Sequence, residues 1–258
     1  KAREKVLDRY VIPILDHSES DNLRHLFAAA AKKIGYEGYK YGIIMECADR
    51  NLAVIKLQER PTLREIVIIV RQVAECLKHL HGLGFIHGDI KFLNIVRTKD
   101  GRYKVIDLDA AAFIGTDDAG KKWSTGFNAP ELARFLFRCR GARAPKAHPS
   151  LDVWSFGVIL YELLTNLPLF VRNARDDNIE DMAIKRQLCV WQCPTTEMLD
   201  KITDARVEYE RSTKGVLAGK QNFATKEQLR PLRHLVEWCL QGEPGDRPTV
   251  SQLLAHVG

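Results

Sequence analysis

The segment His87-Gly88-Asp89-Ile90-Lys91-Phe92-Leu93-Asn94 sets a carboxylate, an ammonium and an amide within six residues, and a further carboxylate, Asp107, follows thirteen residues after Asn94. This set matches what phosphoryl transfer demands. A carboxylate must orient the attacking hydroxyl and accept its proton, and a cation must stand near the transferring phosphate. An amide oxygen and a second carboxylate must hold Mg²⁺ against a triphosphate. Asp89, Lys91, Asn94 and Asp107 can fill those roles in that order.

The elements around these residues are short strands followed by helices. Phe85-Ile86, Asn94–Thr98 and Arg102–Leu108 read as strands, the last two joined through Lys99-Asp100-Gly101, whose Asp-Gly pair is a hairpin signal. Upstream, residues 10–15 and 41–45 are apolar, β-rich runs expected to form two strands of one small sheet, with a helical centre around Leu23–Ile34 between them. Thr62 and Glu65 form a capping box, and Ile66, Ile69, Val70, Val73, Leu77 and Leu80 recur behind it at helical spacing, so a helix of about five turns should end near Gly82 and Gly84. Residues 151–167 lie between Pro149 and Pro168 and are apolar nearly all round, which predicts a helix buried inside a helical body. Residues 171–230 show no clear period; helical patterns resume at Leu229–Leu240, and Thr249 to Gln252 caps a last short helix. The order of strands first and helices afterwards predicts an α+β fold with a mostly helical main body.

Composition sets the bounds. With 258 residues, 45% hydrophobic and 28% charged, the chain can bury a sizeable core. Its longest purely aliphatic run, Ile66–Val70, falls far short of the roughly 20 residues a membrane-spanning helix needs, and no apolar stretch follows Lys1-Ala-Arg-Glu-Lys to make it a signal peptide. Six cysteines without a CxxC pair fit reduced thiols in a cytosolic protein. Cys189 and Cys193 are spaced to share a helix face, yet no histidines stand near them in ligand spacing, so the six read as buried or incidental. The net charge of +6 permits acidic partners, but no nucleic-acid pattern is evident.

At the catalytic-type segment the chain resembles the protein kinase family, whose catalytic loop reads H-R-D-x-K-x-x-N and whose metal-binding strand end reads D-F-G. Three further stretches match in the family's order: Asn128-Ala129-Pro130-Glu131, Asp152 to Gly157, and Gly245-Asp246-Arg247-Pro248-Thr249. The resemblance covers roughly residues 10–258. It implies a bilobal fold, with residues 1–48 as a partial N-lobe and hinge and 49–258 as the C-lobe. It also implies ATP and Mg²⁺ as cofactors, with Asn94 and Asp107 on the metal. Met45-Glu46-Cys47-Ala48 resembles the hinge, so that main-chain groups of Glu46 and Ala48 would bind adenine beside Met45 as gatekeeper. Ser124 matches the hydroxyl that bridges the catalytic aspartate and lysine in serine/threonine kinases. His87, Glu131, Asp152 and Arg247 take structural roles, Glu131 pairing with Arg247 and Asp152 holding the catalytic-loop backbone.

The chain also departs from the family. No G-x-G-x-x-G and no V-A-I-K-like strand precede residue 10, and the first residue is not Met, so the reading expects a true start upstream and a weak catalyst as given. Glu4 reads as a surface residue. Gly88 stands where many kinases carry the arginine that receives an activation-loop phosphate. Asp107-Leu108-Asp109 replaces D-F-G; Asp109 is either an extra oxygen ligand or a turn residue, and the same variants resemble small-molecule phosphotransferases of the kinase-like fold. Arg134, Arg138, Arg140, Arg143 and Lys146 form a basic stretch that suits acidic or phosphorylated partners or simply solvent. The resemblance implies a cytoplasmic, ATP-dependent kinase acting on Ser/Thr hydroxyls of a protein substrate, with a pseudokinase scaffold as the alternative of another class. The residues specify neither a pathway nor an oligomeric state.

Overall fold

A computed structural model of the chain describes residues 9–17, 32–33, 43–116, 119, 124–204 and 225–257. Glu4 and nearly all of the expected helical centre at 23–34 lie outside the described residues. β1 (Ile14–His17) pairs antiparallel with β2 (Ile43–Met45), with Ile14 opposite Met45 and a bulge before Asp16. The first apolar run thus divides into two pieces. Pro13 has no N–H for a ladder, and on its N-terminal side Val11 bridges to Val105 instead, with Ile12 N donating to Val105 O at 3.3 Å. Ile12 is buried while Ile14, Leu15, Ile43, Ile44 and Met45 stand exposed on the ribbon.

The main body begins with β3 (Arg50–Asn51), then α1 (Leu52–Val54), which runs into a π-helical turn at Ile55–Glu59 that ends on Arg60 in the left-handed region. α2 (Leu63–Gly82) carries the expected capping box: Glu65 N donates to Thr62 Oγ1 at 3.3 Å and Thr62 N donates to Glu65 Oε2 at 2.7 Å. Its buried stripe is Ile66, Ile69, Val70, Val73, Ala74, Cys76, Leu77 and Leu80. β4 (Phe85–Ile86) pairs with β7 (Ala112–Phe113), while β5 (Ile95–Arg97) and β6 (Tyr103–Val105) form the hairpin, joined on the outside by β3 in the order β3-β5-β6. Thr98 N bonds to Arg102 O at 2.8 Å, closing the turn that holds Gly101.

The core is helical. α3 (Pro130–Leu136) follows the Asn128–Glu131 motif, and α4 (Pro149–Thr165) buries every residue from Ser150 to Thr165. α5 (Met182–Cys189), α6 (Lys226–Cys239) and α7 (Val250–Val257) complete the body. α4 packs on α2 and α6. Its glycine permits the approach to α6, since a Cβ on Gly157 would sit 2.6 Å from Cys239 Cβ. The fold is α+β with a mostly helical main body, as the order of strands and helices predicts, and no helix among the described residues is long and apolar enough to cross a membrane.

One buried charge pair ties the ends of this body together. Arg247 Nη1 and Nη2 donate to the two carboxylate oxygens of Glu131 at 2.7 and 2.8 Å. The remaining guanidinium protons go to Gln241 O, Ser150 O and Gly242 O, and the plane lies 5.1 Å from the Trp154 ring. All five donors are used, so the desolvated cation is fully compensated. Removing it leaves Glu131 without its cation in a largely buried setting, and Arg247→Ala is expected to destabilise the protein by about 3–5 kcal/mol. Chemical denaturation checks this; an unshifted midpoint would refute the pairing as a stabilising one.

Candidate active site

The turn between β4 and β5 carries the acid, the cation and the amide, and its shape is imposed from below. Asp152, at the start of α4, points a buried carboxylate into the turn. It accepts His87 N at 2.8 Å on Oδ2 and Gly88 N at 2.9 Å on Oδ1, and His81 Nε2 lies 2.8 Å from Oδ2. Burial pushes this carboxyl up, but the His81 contact, the neighbouring imidazoles and the Gly88 amide together hold it below its ordinary value. Gly88 adopts φ +77°, and a Cβ there would meet Ala110 O at 2.5 Å. The glycine therefore admits both a left-handed turn and close passage of the chain after Asp107.

His87 is fully buried and faces the other way. Asp89 N donates to His87 Nδ1 at 3.3 Å, so Nε2 carries the proton and donates to Ile106 O at 3.0 Å. That bond fastens the turn to the residue before Asp107, and Ile106 N in turn donates to Asn94 O at 3.0 Å.

On this base three of the four sequence-predicted groups, Asp89, Lys91 and Asn94, meet one another. Lys91 Nζ lies 3.2 Å from Asp89 Oδ2 and donates to Ser124 Oγ at 2.7 Å, so the ammonium bridges the two side chains. Asn94 gives both amide protons to Asp89, one to its carbonyl at 2.8 Å and one to Oδ2 at 3.0 Å. The Asn94 amide oxygen is left as the atom for a cation. Asp107 follows β6 with φ 66° and ψ 72°, an uncommon left-handed conformation for a non-glycine residue, and opens a 3₁₀ turn, Leu108–Ala110, on which Asp109 is exposed.

The hinge-like residues lie at the end of β2. Glu46 accepts an ion pair from the buried Lys104 of β6 at 2.8 Å, which fixes the link between the ribbon and the hairpin. Met45 is half exposed and Ala48 partly buried. The basic stretch divides: Arg134 Nη1 donates to Cys189 O at 3.3 Å, whereas Arg138, Arg140, Arg143 and Lys146 are exposed.

A second buried cluster braces the site and was not singled out by sequence reasoning. Glu162, on α4, accepts Arg172 Nη1 and Nη2 at 2.6 and 2.9 Å, and Lys56 Nζ stands 3.6 Å away. Arg172 lies 4.2 Å over the Phe127 ring and Lys56 5.0 Å over Phe92, and the two rings meet edge to face at 5.9 Å. Phe92 sits between Lys91 and Asn94, and Phe127 follows Ser124, so one cation cluster supports both walls of the site. Burial holds the Lys56 ammonium below its usual range despite the Glu162 charge. A second carboxylate, far from the Asp152 end of an otherwise apolar helix, was the available signal. Its partners, from the π-helical turn and the loop before α5, had none.

With this geometry in place, the comparisons with known proteins are unambiguous about class. The protein kinase domain family matches residues 12–257, and the chain belongs to the protein kinase family. It is 27% identical to mitogen-activated protein kinase 15 of Oryza sativa subsp. japonica over 95% of this chain and 48% of that protein, and 27% identical to mitogen-activated protein kinase 16 of Arabidopsis thaliana over 96% and 42%. The chain spans less than half the length of these curated relatives.

The buried His87 ring has a consequence for stability against pH. Burial depresses its basicity more than the charges of Asp152 and Asp89 restore it. The unfolded chain then takes up a proton near pH 6.5 that the folded chain refuses. This contribution to stability is complete above about pH 6.5 and is lost progressively as the pH falls below it. In imidazole NMR spectra recorded between pH 7.5 and 5.5, the His87 signals should hold their neutral-form positions while those of exposed histidines move; titration of His87 near 6.5 would contradict the buried neutral ring.

Proposed function

We propose that the chain carries the catalytic body of an ATP- and Mg²⁺-dependent kinase that phosphorylates serine or threonine hydroxyls of protein substrates. The observation that carries this reading is the Lys91 ammonium placed between Asp89 and Ser124. Asp89 accepts the proton of the substrate hydroxyl, and its orientation is held by both protons of Asn94. Lys91, fixed at two points, presents positive charge to the phosphoryl group as negative charge grows on its oxygens. Ser124, from the segment leading into Asn128–Glu131, closes the site on the substrate side.

The donor set suits Mg²⁺. Among the described residues no cluster of three or more His, Cys, Asp or Glu could hold a metal, whereas Mg²⁺ is commonly bound by one or two protein oxygens completed by nucleotide phosphates and water. Asn94 Oδ1 and the Asp107 carboxylate would be those oxygens. When bound, the ion neutralises phosphate charge. Main-chain groups of Glu46 and Ala48, beside Met45, would receive adenine, and we place the lobe boundary between residues 48 and 49, where Asp49 N is already bonded to Arg97 O of the hairpin at 2.7 Å. The Lys91–Ser124 contact, which the resemblance associates with serine/threonine kinases, supports aliphatic hydroxyl over phenol acceptors. The Glu131–Arg247 pair supports a protein kinase over a small-molecule phosphotransferase, because it joins two motifs that the latter lack.

In the full-length protein, Asp89→Asn should lower phosphate transfer to a Ser/Thr peptide mixture by orders of magnitude while nucleotide affinity changes little. Equal transfer by the variant would remove Asp89 from its role, and nucleotide binding without transfer in the wild type would favour a pseudokinase scaffold.

Asp109 adds a second carboxylate two residues from Asp107. Its charge disfavours a metal-free triphosphate and favours the metal complex. Asp109→Gly should therefore strengthen nucleotide binding without Mg²⁺ and shift the Mg²⁺ concentration for half-maximal binding. Titration of a fluorescent ATP analogue with and without metal measures both, and superimposable curves would leave Asp109 outside the site.

A further inference from the structure

α3 and α5 are brought together at their C-terminal ends by two cysteines that stand fifty residues apart in sequence. Cys139, just past α3, and Cys189, the last residue of α5, have their sulfurs 3.2 Å apart, with the Cys139 thiol directed at Cys189 Sγ. Both are partly exposed. The other four differ: Cys76 and Cys239 are buried, and Cys47 and Cys193 are exposed. The expected shared helix face of Cys189 and Cys193 is not formed, because α5 ends at Cys189. The pair also has a cation beside it, since Arg134 Nη1 reaches Cys189 O at 3.3 Å and Arg134 O accepts Cys139 N at 2.9 Å.

We propose that Cys139 and Cys189 are a modification site, a vicinal thiol pair that a hydroperoxide converts into a reversible disulfide joining α3 to α5. A disulfide needs the sulfurs to close from 3.2 Å to about 2.05 Å, a movement within the reach of side-chain rotation. Burial and the adjacent sulfur push the Cys189 thiol up to about 12, so the first attack is assigned to the other member of the pair, Cys139. Its sulfur attacks one peroxide oxygen, breaks the O–O bond and becomes a sulfenic acid, while the other oxygen leaves as hydroxide and is protonated to water. Cys189 sulfur then attacks the sulfenic sulfur, the S–O bond breaks and the Cys189 proton leaves with hydroxide as a second water. Two thiols are oxidised and one peroxide is reduced.

The position gives the bond a consequence. Residues 177–179, just before α5, brace the Ser124–Phe127 stretch through Gly126 N to Asp177 O at 3.0 Å and Ile179 N to Thr125 Oγ1 at 2.8 Å. That same stretch leads directly into α3. The disulfide therefore closes a bracket around the segment that supplies Ser124, and the oxidised form should hold it more rigidly.

The full chain, treated with hydrogen peroxide, alkylated and digested with chymotrypsin, tests the assignment, because cleavage at Trp191 separates Cys189 from Cys193 and leaves Cys139 in its own peptide. The expected product is a Cys139–Cys189 cross-linked peptide that dithiothreitol abolishes, together with a higher melting temperature of the oxidised chain. In Cys189→Ser, dimedone should label Cys139; in Cys139→Ser, Cys189 should stay unlabelled. Recovery of both residues as alkylated thiols while Cys47 and Cys193 oxidise, linkage of Cys139 to Cys193, or dimedone on Cys189 would each overturn the proposal. The wild-type peptide map needs no variant to fold.

Discussion

Asp152 is the group on which the rest of the site depends. A carboxylate buried in an apolar helix is costly unless its oxygens are satisfied, and here the partners are two consecutive backbone N–H groups of the catalytic turn and one imidazole. The turn cannot move away without stranding a buried charge. This single requirement fixes the height of His87 and Gly88 above α4, and through them the direction in which Asp89 and Lys91 leave the backbone. The neutral His87 then passes the constraint on to Ile106, so the end of β6 that leads into Asp107 is registered against the same helix.

Two further buried pairs repeat the logic at greater distance. Glu131 and Arg247 join the start of α3 to the loop before α7, and Glu162 and Arg172 join the last turn of α4 to the loop before α5. Each glutamate is accepted into the interior only because a guanidinium matches both its oxygens. Arg172 and Arg247 also lie over Phe127 and Trp154, which lets an ion pair share space with the aromatic core. α4 contributes Asp152, Glu162 and the Trp154 ring, and it is thereby the common support of the catalytic turn, the Ser124–Phe127 stretch and the C-terminal helices.

The strained backbone lies where these supports converge. Gly88 and Asp107 both adopt positive φ, one beside Asp89 and one just past β6, and Ala110 O passes so close to Gly88 that any side chain there would collide. Such conformations persist because the neighbouring bonds over-determine them. The thiol pair at the ends of α3 and α5 belongs to the same mechanical unit, since those helices frame the segment that delivers Ser124.

Much of this was legible in the residues. Periodicity and capping chemistry placed α2, α4 and α7, because a capping box and an apolar stripe are local signals that tertiary packing reinforced. The spacing of Asp89, Lys91 and Asn94 already placed them in one short turn, where the structure finds them in contact. Other features lay beyond one-dimensional reading. Pro13 divided the first apolar run, and its Val11 half found a partner in β6, more than ninety residues away. Glu162 announced a buried charge without naming Arg172 or Lys56, and Cys139 and Cys189 showed no pairing in the sequence because their meeting depends on how α3 and α5 pack. The sequence by itself determined which residues could do chemistry and where α2, α4, α6 and α7 would form, since both follow from residue type and local spacing. Only the tertiary structure decided which buried charges and sulfurs face each other, since those contacts depend on side chains whose separation along the chain carries no information about their separation in space.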